Sequence, residues 1–207
     1  MREDVTLLLY AGGNATRMGG CNKALVPFLG TPMVVRVRER LSDSVSAVVL
    51  SANRDRAALE RLGFTVVEDT FPGRPGPLAG LLAAAERRLI HTRWVLTAPC
   101  DAPMVPKNLL SLLWTAAQED GFTHGAYTIE AEGYPQNAFA LIRAERLSEV
   151  REYLASGERR LGGWLRTIGQ KKVSPTEYDG NFKNLNDFEE LEAAETEEKA
   201  KNLQETP

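Results

Sequence analysis

An apolar segment that runs directly into a glycine-rich loop is the feature that most constrains how this chain can fold. The loop, called here the glycine loop, extends from Gly12 to Lys23 and follows the apolar run Val5 to Leu9. Its glycines lack a Cβ, so backbone N–H groups can approach an anion closely, and Arg17 and Lys23 add positive charge. The glycines are Gly12, Gly13, Gly19 and Gly20. We therefore predict a strand followed by a phosphate-binding loop.

The two commonest phosphate loops do not fit this spacing. A Walker A loop requires Ser or Thr directly after its lysine, whereas Lys23 is followed by Ala24. A dinucleotide-binding loop requires Gly-x-Gly-x-x-Gly and a long helix directly afterwards. Neither Gly12 nor Gly13 begins that pattern, and Pro27 argues against the helix. The glycine loop therefore belongs to another class of phosphate-binding loop.

The composition indicates one ordinary globular domain. The chain has 207 residues, of which 43% are hydrophobic, enough for one substantial core. We place a single domain at residues 1–190, followed by an acidic tail at 191–207 that is partly helical or frayed. A net charge of -3 argues against broad attraction to nucleic acid or anionic lipid, so we expect neither as a partner.

Short apolar runs and few cysteines indicate a cytoplasmic protein. The first apolar run is too short for a signal peptide, and no segment approaches the ~20 apolar residues of a membrane helix. Cys21 and Cys100 are too few and too isolated for a disulfide framework or a zinc site. We interpret both as free thiols.

Apolar β-branched runs alternate with helical periodicity, which predicts parallel strands joined by helices. Thr31 and Pro32 favour a helix start with Thr31 as N-cap, and Asp187 favours another near the end of the chain. The predicted fold is α/β, a three-layer α/β/α Rossmann-like arrangement whose mostly parallel sheet has an antiparallel strand in the second half. The predicted strands are Val5 to Leu9, Val45 to Leu50, Phe64 to Val67, Trp94 to Thr97, Thr123 to Ile129 and Asn137 to Ile142.

Polar residues follow the first four predicted strands. Ser51 and Asn53 follow the second, Asp69 follows the third and Asp101 follows the fourth. In an open parallel sheet, ligands bind beyond the carboxyl ends of the strands, so these residues and the glycine loop are expected at one edge.

Asp101 has two interpretations. Held between Pro99 and Pro103, it is a suitable ligand for Mg²⁺, which takes one or two carboxylates together with phosphate oxygens and water. It can equally form an Asx-turn. The expected proximity of a phosphate loop favours the interpretation of Asp101 as a metal ligand.

Asn53 and Asp69 are suited to binding a base or a ribose, although either can also bond its own backbone. The segment Pro72 to Gly80, rich in proline and glycine, is either a rigid turn or a wall around a base.

Taken together, these motifs resemble the molybdenum cofactor guanylyltransferases, within the wider superfamily that includes nucleotide-diphospho-sugar transferases and cytidylyltransferases. The wider superfamily's loop is matched by Ala11-Gly12-Gly13, Arg17-Met18-Gly19 and Lys23. The narrower branch is matched by Ala52-Asn53-Arg54, Glu68-Asp69, Pro75 to Gly80, Pro99-Cys100-Asp101, Gly157 to Arg160 and Asn184-Leu185-Asn186.

The resemblance implies Mg²⁺-dependent transfer of GMP from GTP to the terminal phosphate of molybdopterin, with release of pyrophosphate. It implies catalytic roles for Arg17, Lys23 and Asp101, with Asp101 also on the metal. It implies contacts to GTP from Tyr10, Ala11, Gly12, Gly13, Lys23, Ser51, Asn53, Asp69, Pro77, Leu78, Gly80 and Asp101. The acceptor half is matched by Gln136, Asn137, Arg159, Arg160, Asn184 and Asn186.

Two positions depart from the pattern of this family. Tyr10 stands where leucine is usual, and Ser51 replaces an asparagine expected to help bind the nucleotide. Transient contacts with other cofactor-synthesis proteins and with apo-molybdoenzymes are a further implication of the resemblance. A cytidylyltransferase with the same chemistry and a non-catalytic carrier of nucleotide or cofactor remain as alternatives.

Overall fold

The computed structural model describes residues 4–12, 18–73 and 76–204. Its main feature is a seven-stranded sheet in the order β5-β4-β1-β6-β8-β7-β9. The strands are β1 Val5–Tyr10, β4 Ala47–Ser51, β5 Thr65–Val67, β6 Trp94–Pro99, β7 Ala126–Ala131, β8 Tyr134–Arg143 and β9 Gln170–Val173, while β2 Pro27–Phe28 and β3 Thr31–Pro32 form a separate pair. The helices are α1 Met33–Leu41, α2 Arg56–Arg61, α3 Pro77–Glu86, α4 Leu109–Glu119, α5 Val150–Ala155, α6 Leu161–Thr167 and α7 Phe188–Gln204.

The predicted fold class is confirmed. Strands β5, β4, β1 and β6 pair in parallel, β8 runs antiparallel to both β6 and β7, and β9 runs parallel to β7. β8 is therefore the antiparallel strand predicted for the second half.

Helices cover both faces of the sheet, which explains why the central strands β1 and β6 are buried at every position and mostly apolar. Along β1, Leu7 and Leu9 face a core with α1, α2 and α4, whereas Leu8 and Tyr10 face a core with α3, α5 and α6. Successive side chains of a strand point to opposite faces, so a strand buried on both sides needs a continuous apolar run.

Several element predictions need correction. Thr31 and Pro32 pair with β2 instead of starting a helix, and α1 begins at Met33 without a side-chain cap. The strand predicted from Thr123 begins at Ala126, because the Thr123 backbone N–H and the His124 side chain bond back to Asp120 in a turn. Strand β9 and helix α2 were not predicted, since both are short and polar.

The C-terminal acidic segment packs onto the domain through a single helix. α7 runs from Phe188 to Gln204, and its Leu191 and Ala194 are buried with Met18, Phe28 and Met33. Glu195 accepts a hydrogen bond from the backbone of Leu29 at 2.6 Å. α7 thus lies against the segment that follows the glycine loop, and the predicted helix from Asp187 extends to Gln204.

Among the residues described, no helix has the length and apolar character needed to cross a bilayer.

Candidate nucleotide-binding site

Four parallel strands end at one edge of the sheet, called here the carboxyl edge. Tyr10 of β1 lies beside Ser51 of β4 and Pro99 of β6, and Ser51 lies beside Val67 of β5. The backbone hydrogen bonds continue one residue further, from Ala11 to Ser51 at 2.8 Å and from Cys100 to Tyr10 at 2.9 Å. The polar residues predicted to follow the strands are therefore brought together.

A cavity of about 240 Å³ opens at the carboxyl edge between β1, β4, β5 and the start of α3. Seven of the residues predicted to contact GTP line this cavity: Tyr10, Ala11, Gly12, Ser51, Asn53, Asp69 and Pro77. Asn22, Arg54 and Gly76 line it as well, although none of them was predicted to contact GTP. Asn22 belongs to the glycine loop, and Arg54 and Gly76 belong to matched motifs, so the sequence indicated their segments but not these individual residues.

Asp69 is the carboxylate of this cavity, and its neighbours hold it in place. Asn53 Nδ2 donates to Asp69 Oδ2 at 2.7 Å, and the Asp69 backbone N–H donates to Asn53 Oδ1 at 2.9 Å. Ser51 Oγ lies 3.4 Å from Asp69 Oδ1. Because a carboxylate oxygen has two lone pairs, Asp69 retains acceptor capacity towards a ligand.

Gly80 and Leu78 lie behind the cavity wall. A Cβ at Gly80 would lie 2.7 Å from Ser51 Cβ, so the glycine allows α3 to approach the end of β4. Leu78 is fully buried in the core beneath α3. Both positions shape the wall of the cavity without lining it.

Lys23 and Asp101 meet beside the cavity. Lys23 Nζ lies 2.9 Å from Asp101 Oδ2 and donates a second hydrogen bond to Asn186 Oδ1 at 2.9 Å. The two ionic side chains are only 17% and 14% exposed, so solvent screens their interaction less than that of a surface pair. Asn186, predicted on the acceptor side, contacts the glycine-loop lysine instead.

The donor set suits a magnesium ion that arrives with a phosphate chain. Asp101 is a single carboxylate, and the described residues contain no group of three His, Cys, Asp or Glu side chains placed to hold a metal. Mg²⁺ typically uses one or two carboxylates plus substrate phosphates and water. The residues present therefore fit a shared metal and not an all-protein cage.

Burial changes the proton affinity of two groups at this edge. Tyr10 is 7% exposed, and burial raises the pKa of its phenol. Burial and then the neighbouring Asp101 carboxylate raise the pKa of the Cys100 thiol. Both groups are therefore neutral near pH 7, and Cys21 and Cys100 are free thiols as predicted.

Gly13 and Arg17, which the sequence places in the glycine loop, lie outside the described residues, as does Pro75 of the motif preceding α3.

The residues predicted to bind the acceptor divide into separate groups. Gln136 and Asn184 line a second cavity of about 560 Å³, together with Met104, Phe182 and part of α7. Asn137 instead accepts a hydrogen bond from Gln170 at 2.8 Å and lies against Gly162 of α6.

Arg159 and Arg160 form a further group at the start of α6. The Arg159 guanidinium lies 5.7 Å from the centre of the Phe71 ring, and Nη1 donates to the backbone oxygen of Leu154 at 2.6 Å. Arg160 is exposed. Arg159 thus packs on Phe71, in the segment between β5 and α3, whereas Gln136 and Asn184 lie on the α7 side.

Comparison with known families agrees with this architecture. Residues 7–173 match the family model described as the MobA-like NTP transferase domain. Among solved structures, molybdopterin-guanine dinucleotide biosynthesis protein A from Archaeoglobus fulgidus superposes with a TM-score of 0.72 at 21% identity, covering 94% of this chain and 99% of that one. A CMP:2-keto-3-deoxy-manno-octonic acid synthetase bound to CTP superposes with a TM-score of 0.69 at 13% identity, covering 97% and 100%. These two structures share the fold.

Curated relatives are closer in sequence. The molybdenum cofactor guanylyltransferase of Cupriavidus metallidurans is 39% identical over 202 residues, covering 96% of this chain and 98% of the relative. That of Serratia proteamaculans is 38% identical over 191 residues, covering 92% and 93%. With the loop, the cavity and the Lys23–Asp101 pair, these matches show that the chain is a nucleotidyltransferase and belongs to the molybdenum cofactor guanylyltransferase family of MobA-like NTP transferases.

Proposed function

We propose that this protein transfers GMP from GTP to the terminal phosphate of molybdopterin and releases pyrophosphate. The observation that carries the proposal is a base-sized cavity, holding an oriented carboxylate, directly beside a lysine and an aspartate suited to a triphosphate and its metal. The relatives named as molybdenum cofactor guanylyltransferases support the choice of nucleotide and acceptor.

Asp69 accounts for a preference for guanine. Guanine presents two adjacent donors, N1–H and the N2 amino group, which match the two oxygens of one carboxylate. Cytosine and adenine each place a ring acceptor beside their amino group, and that acceptor faces a carboxylate unfavourably. Asn53 holds Asp69 from two sides, so the carboxylate keeps its orientation before the base arrives.

Lys23 neutralises negative charge where the acceptor phosphate meets the triphosphate. The acceptor phosphate attacks the α-phosphorus of GTP, and pyrophosphate leaves, so two anions must approach each other. The acceptor phosphate is already ionised near neutral pH, and therefore no protein nucleophile is required. The rate enhancement comes from positioning and electrostatic stabilisation by Lys23, with Arg17 as a second cation of the loop.

Asp101 would hold Mg²⁺ together with phosphate oxygens. The ion would supply charge neutralisation to the triphosphate. Lys23 Nζ donates to the carboxylate of Asp101 and, at the same distance of 2.9 Å, to Asn186 Oδ1. Lys23 can thus turn towards a triphosphate while Asp101 becomes available to the metal.

The acceptor approaches from the β6–β8 side of Asp101. The backbone N–H of Leu185 donates to the Asp101 carbonyl oxygen at 2.8 Å, which fixes segment 184–186 beside the reacting groups. Gln136 and Asn184 line the cavity on that side. Arg159 and Arg160, at the start of α6, are exposed cations for further anionic groups of the acceptor.

Calorimetric titration of the protein with GTP, CTP and ATP, each with Mg²⁺, tests the nucleotide assignment. We expect GTP to bind most tightly, and pyrophosphate to appear only when GTP and molybdopterin are both present. A clear preference for CTP would identify a cytidylyltransferase. Binding of GTP without pyrophosphate release in the presence of molybdopterin would identify a carrier instead.

Asp69→Asn tests the basis of base selection. The variant replaces one of two matched acceptors by an amide donor, so we expect GTP affinity to fall about 10- to 100-fold while CTP affinity changes little. Asp55→Asn, which changes an exposed carboxylate two residues from Asn53, is the matched control and should leave both affinities unchanged. Equal losses for GTP and CTP would contradict the role of Asp69 in selection.

A further inference from the structure

Arg54 connects the two sides of the cavity rim. Its Nη2 donates to the backbone oxygen of Gly20 in the glycine loop at 2.7 Å. A second contact runs in the opposite direction, since Asn22 Nδ2 in the same loop lies 3.4 Å from the Arg54 carbonyl oxygen. All three residues surround the opening, and Arg54 and Asn22 line the cavity itself. The loop after β4 and the second half of the glycine loop are thereby held at a defined separation.

The contact with Gly20 depends on local backbone shape. Gly20 has φ +74°, a conformation that side chains rarely adopt, and this turn presents its carbonyl oxygen to Arg54. On the other side, Asp55 adopts a left-handed conformation with φ 55° directly before α2. The chain turns sharply on both sides of the bond, so Arg54 and Gly20 are held close together.

The charge of Arg54 is not used in an ion pair within the described part of the chain. Arg56, two residues further on, pairs with Glu60 at 2.8 Å, whereas no described carboxylate lies within ion-pair distance of Arg54. A hydrogen bond from a charged donor to a carbonyl oxygen is stronger than a neutral one. Arg54 is therefore placed to hold the glycine loop without being drawn towards a carboxylate.

We propose that Arg54 is a positioning residue for the triphosphate, because it holds the glycine loop across the rim of the base cavity. Held there, the described end of the glycine loop keeps Lys23 in position to reach the phosphates of a nucleotide whose base lies against Asp69. The proposal rests on the proposed function, since it takes GTP as the ligand. It assigns to Arg54 an effect on binding of the phosphates and none on recognition of the base.

Comparing GTP with guanosine isolates this effect. Both ligands carry the same base and ribose, but only GTP has phosphates for the glycine loop. For Arg54→Ala we expect GTP affinity to fall about tenfold, the lower end of the loss for one charged hydrogen bond because Arg54 is exposed, and guanosine affinity to stay unchanged. Arg54→Lys retains a charged donor and should recover part of the loss.

Kinetics and a control variant complete the test. In the transferase assay, Arg54→Ala should raise KM for GTP by the same factor while kcat and KM for the acceptor stay within about twofold, because Lys23 and Asp101 are intact. Arg61→Ala removes an exposed cation from the end of α2 and should change none of these values.

The outcomes separate the two proposals. Unchanged GTP affinity in Arg54→Ala, or an equal loss for GTP and guanosine, would overturn the role of Arg54 while leaving the proposed function intact. A wild-type protein that binds neither GTP nor guanosine would overturn the proposed function and with it the role of Arg54.

Discussion

Each of the two edges of the sheet contains a carboxylate in contact with a lysine. The edges differ in how much hydrogen-bonding capacity their carboxylates retain for a ligand. At the carboxyl edge, Asp101 contacts Lys23, and Asp69 contacts Ser51 and Asn53 beside an open cavity. At the opposite edge, where β6 and β7 begin, Asp120 is surrounded. Its partners are Tyr127 Oη at 2.6 Å, His124 Nδ1 at 2.9 Å, Lys171 Nζ at 3.1 Å and the Thr123 backbone N–H at 3.4 Å.

Aromatic side chains pack against one another at the opposite edge. Trp94, Trp114 and Phe122 contact one another with ring centres 5.3 to 6.2 Å apart, and the Arg143 guanidinium lies 4.8 Å from the centre of the Trp94 ring. Burial alone would raise the pKa of Asp120, but hydrogen bonds from Tyr127 and Lys171 outweigh it and lower that pKa to about 2. The same burial, together with Asp120, raises the pKa of Tyr127 to about 12.

The difference shows how to separate a binding site from a structural polar cluster. Both edges contain ionisable side chains in close contact, so proximity does not distinguish them. Around Asp120 the donors saturate the carboxylate and the cluster ties α4 to β7 and β9. Asp69, by contrast, retains acceptor capacity and lines a cavity, which is the condition for binding a ligand.

Replacing the lysine at each edge should give the largest contrast. We expect Lys23→Ala to lower turnover about 10²- to 10³-fold with the fold intact, the usual cost of removing one well-placed donor to a developing charge. Lys171→Ala removes the equivalent partner of Asp120 and should leave turnover unchanged. Pyrophosphate release and thermal unfolding of both variants measure this. An inactive but folded Lys171→Ala protein would break the distinction between the edges.

Adding a methyl group to a crowded glycine at each edge should give an intermediate contrast. A Cβ at Gly80 would overlap Ser51, and one at Gly125 would overlap the carbonyl oxygen of Ile168. Overpacking of this kind costs about 1–3 kcal/mol, so both Gly80→Ala and Gly125→Ala should lower the free energy of unfolding. Only Gly80→Ala should also weaken GTP binding, because Ser51 and Asp69 must shift.

A second substitution makes the glycine comparison sharper. Ser51→Gly removes the atoms that the new Cβ at Gly80 would meet, so it should restore stability in the double variant. Weakened GTP binding in Gly125→Ala, measured on folded protein by calorimetry, would contradict the assignment of Gly125 to structure alone.

Asp120→Asn should give the smallest effect, on stability only. The folded pKa of about 2 lies below the ordinary 3.8, so the charged form stabilises the fold above pH 4 and this contribution is lost as pH falls towards 2. We expect a loss of about 1–2 kcal/mol at pH 7, discounted for partial exposure. Denaturant unfolding at pH 7 and pH 2.5 measures it. A difference that persists unchanged at pH 2.5, or a loss of turnover, would contradict this account.

The sequence was informative about strands buried on both faces and less informative about short polar elements. Continuous apolar runs located the parallel strands β1, β4, β5 and β6 within about two residues, because a strand covered by helices on both faces must be largely apolar. The strand Gln170–Val173 and the helix Arg56–Arg61 carry too few apolar residues for periodicity to identify them. Thr31 and Pro32 matched a helix start locally, but pairing with Pro27 and Phe28 took precedence.

The candidate site shows the same difference between features that local sequence predicts and features that it does not. Motifs identified Asn53, Asp69, Lys23 and Asp101, because residue type and position after a strand are local properties. The roles of Asn186 and Arg54 depend on contacts across 163 and 34 residues of sequence, to Lys23 and to Gly20. Local sequence pattern carries no information about such pairings, so both contacts depend on the tertiary structure. The separation of Gln136 and Asn184 from the other residues predicted to bind the acceptor depends on tertiary structure for the same reason.

From its sequence alone, this chain specified an α/β fold and the family to which it belongs, and it predicted a phosphate-binding loop. Those properties follow from apolar periodicity and from short motifs, in which each residue acts through its immediate neighbours. The tertiary structure decided which carboxylates remain open to a ligand, which glycine permits close packing behind the cavity, and which side chains hold the glycine loop. These depend on the meeting of distant segments at the carboxyl edge, where the geometry of a parallel sheet brings the strand ends together.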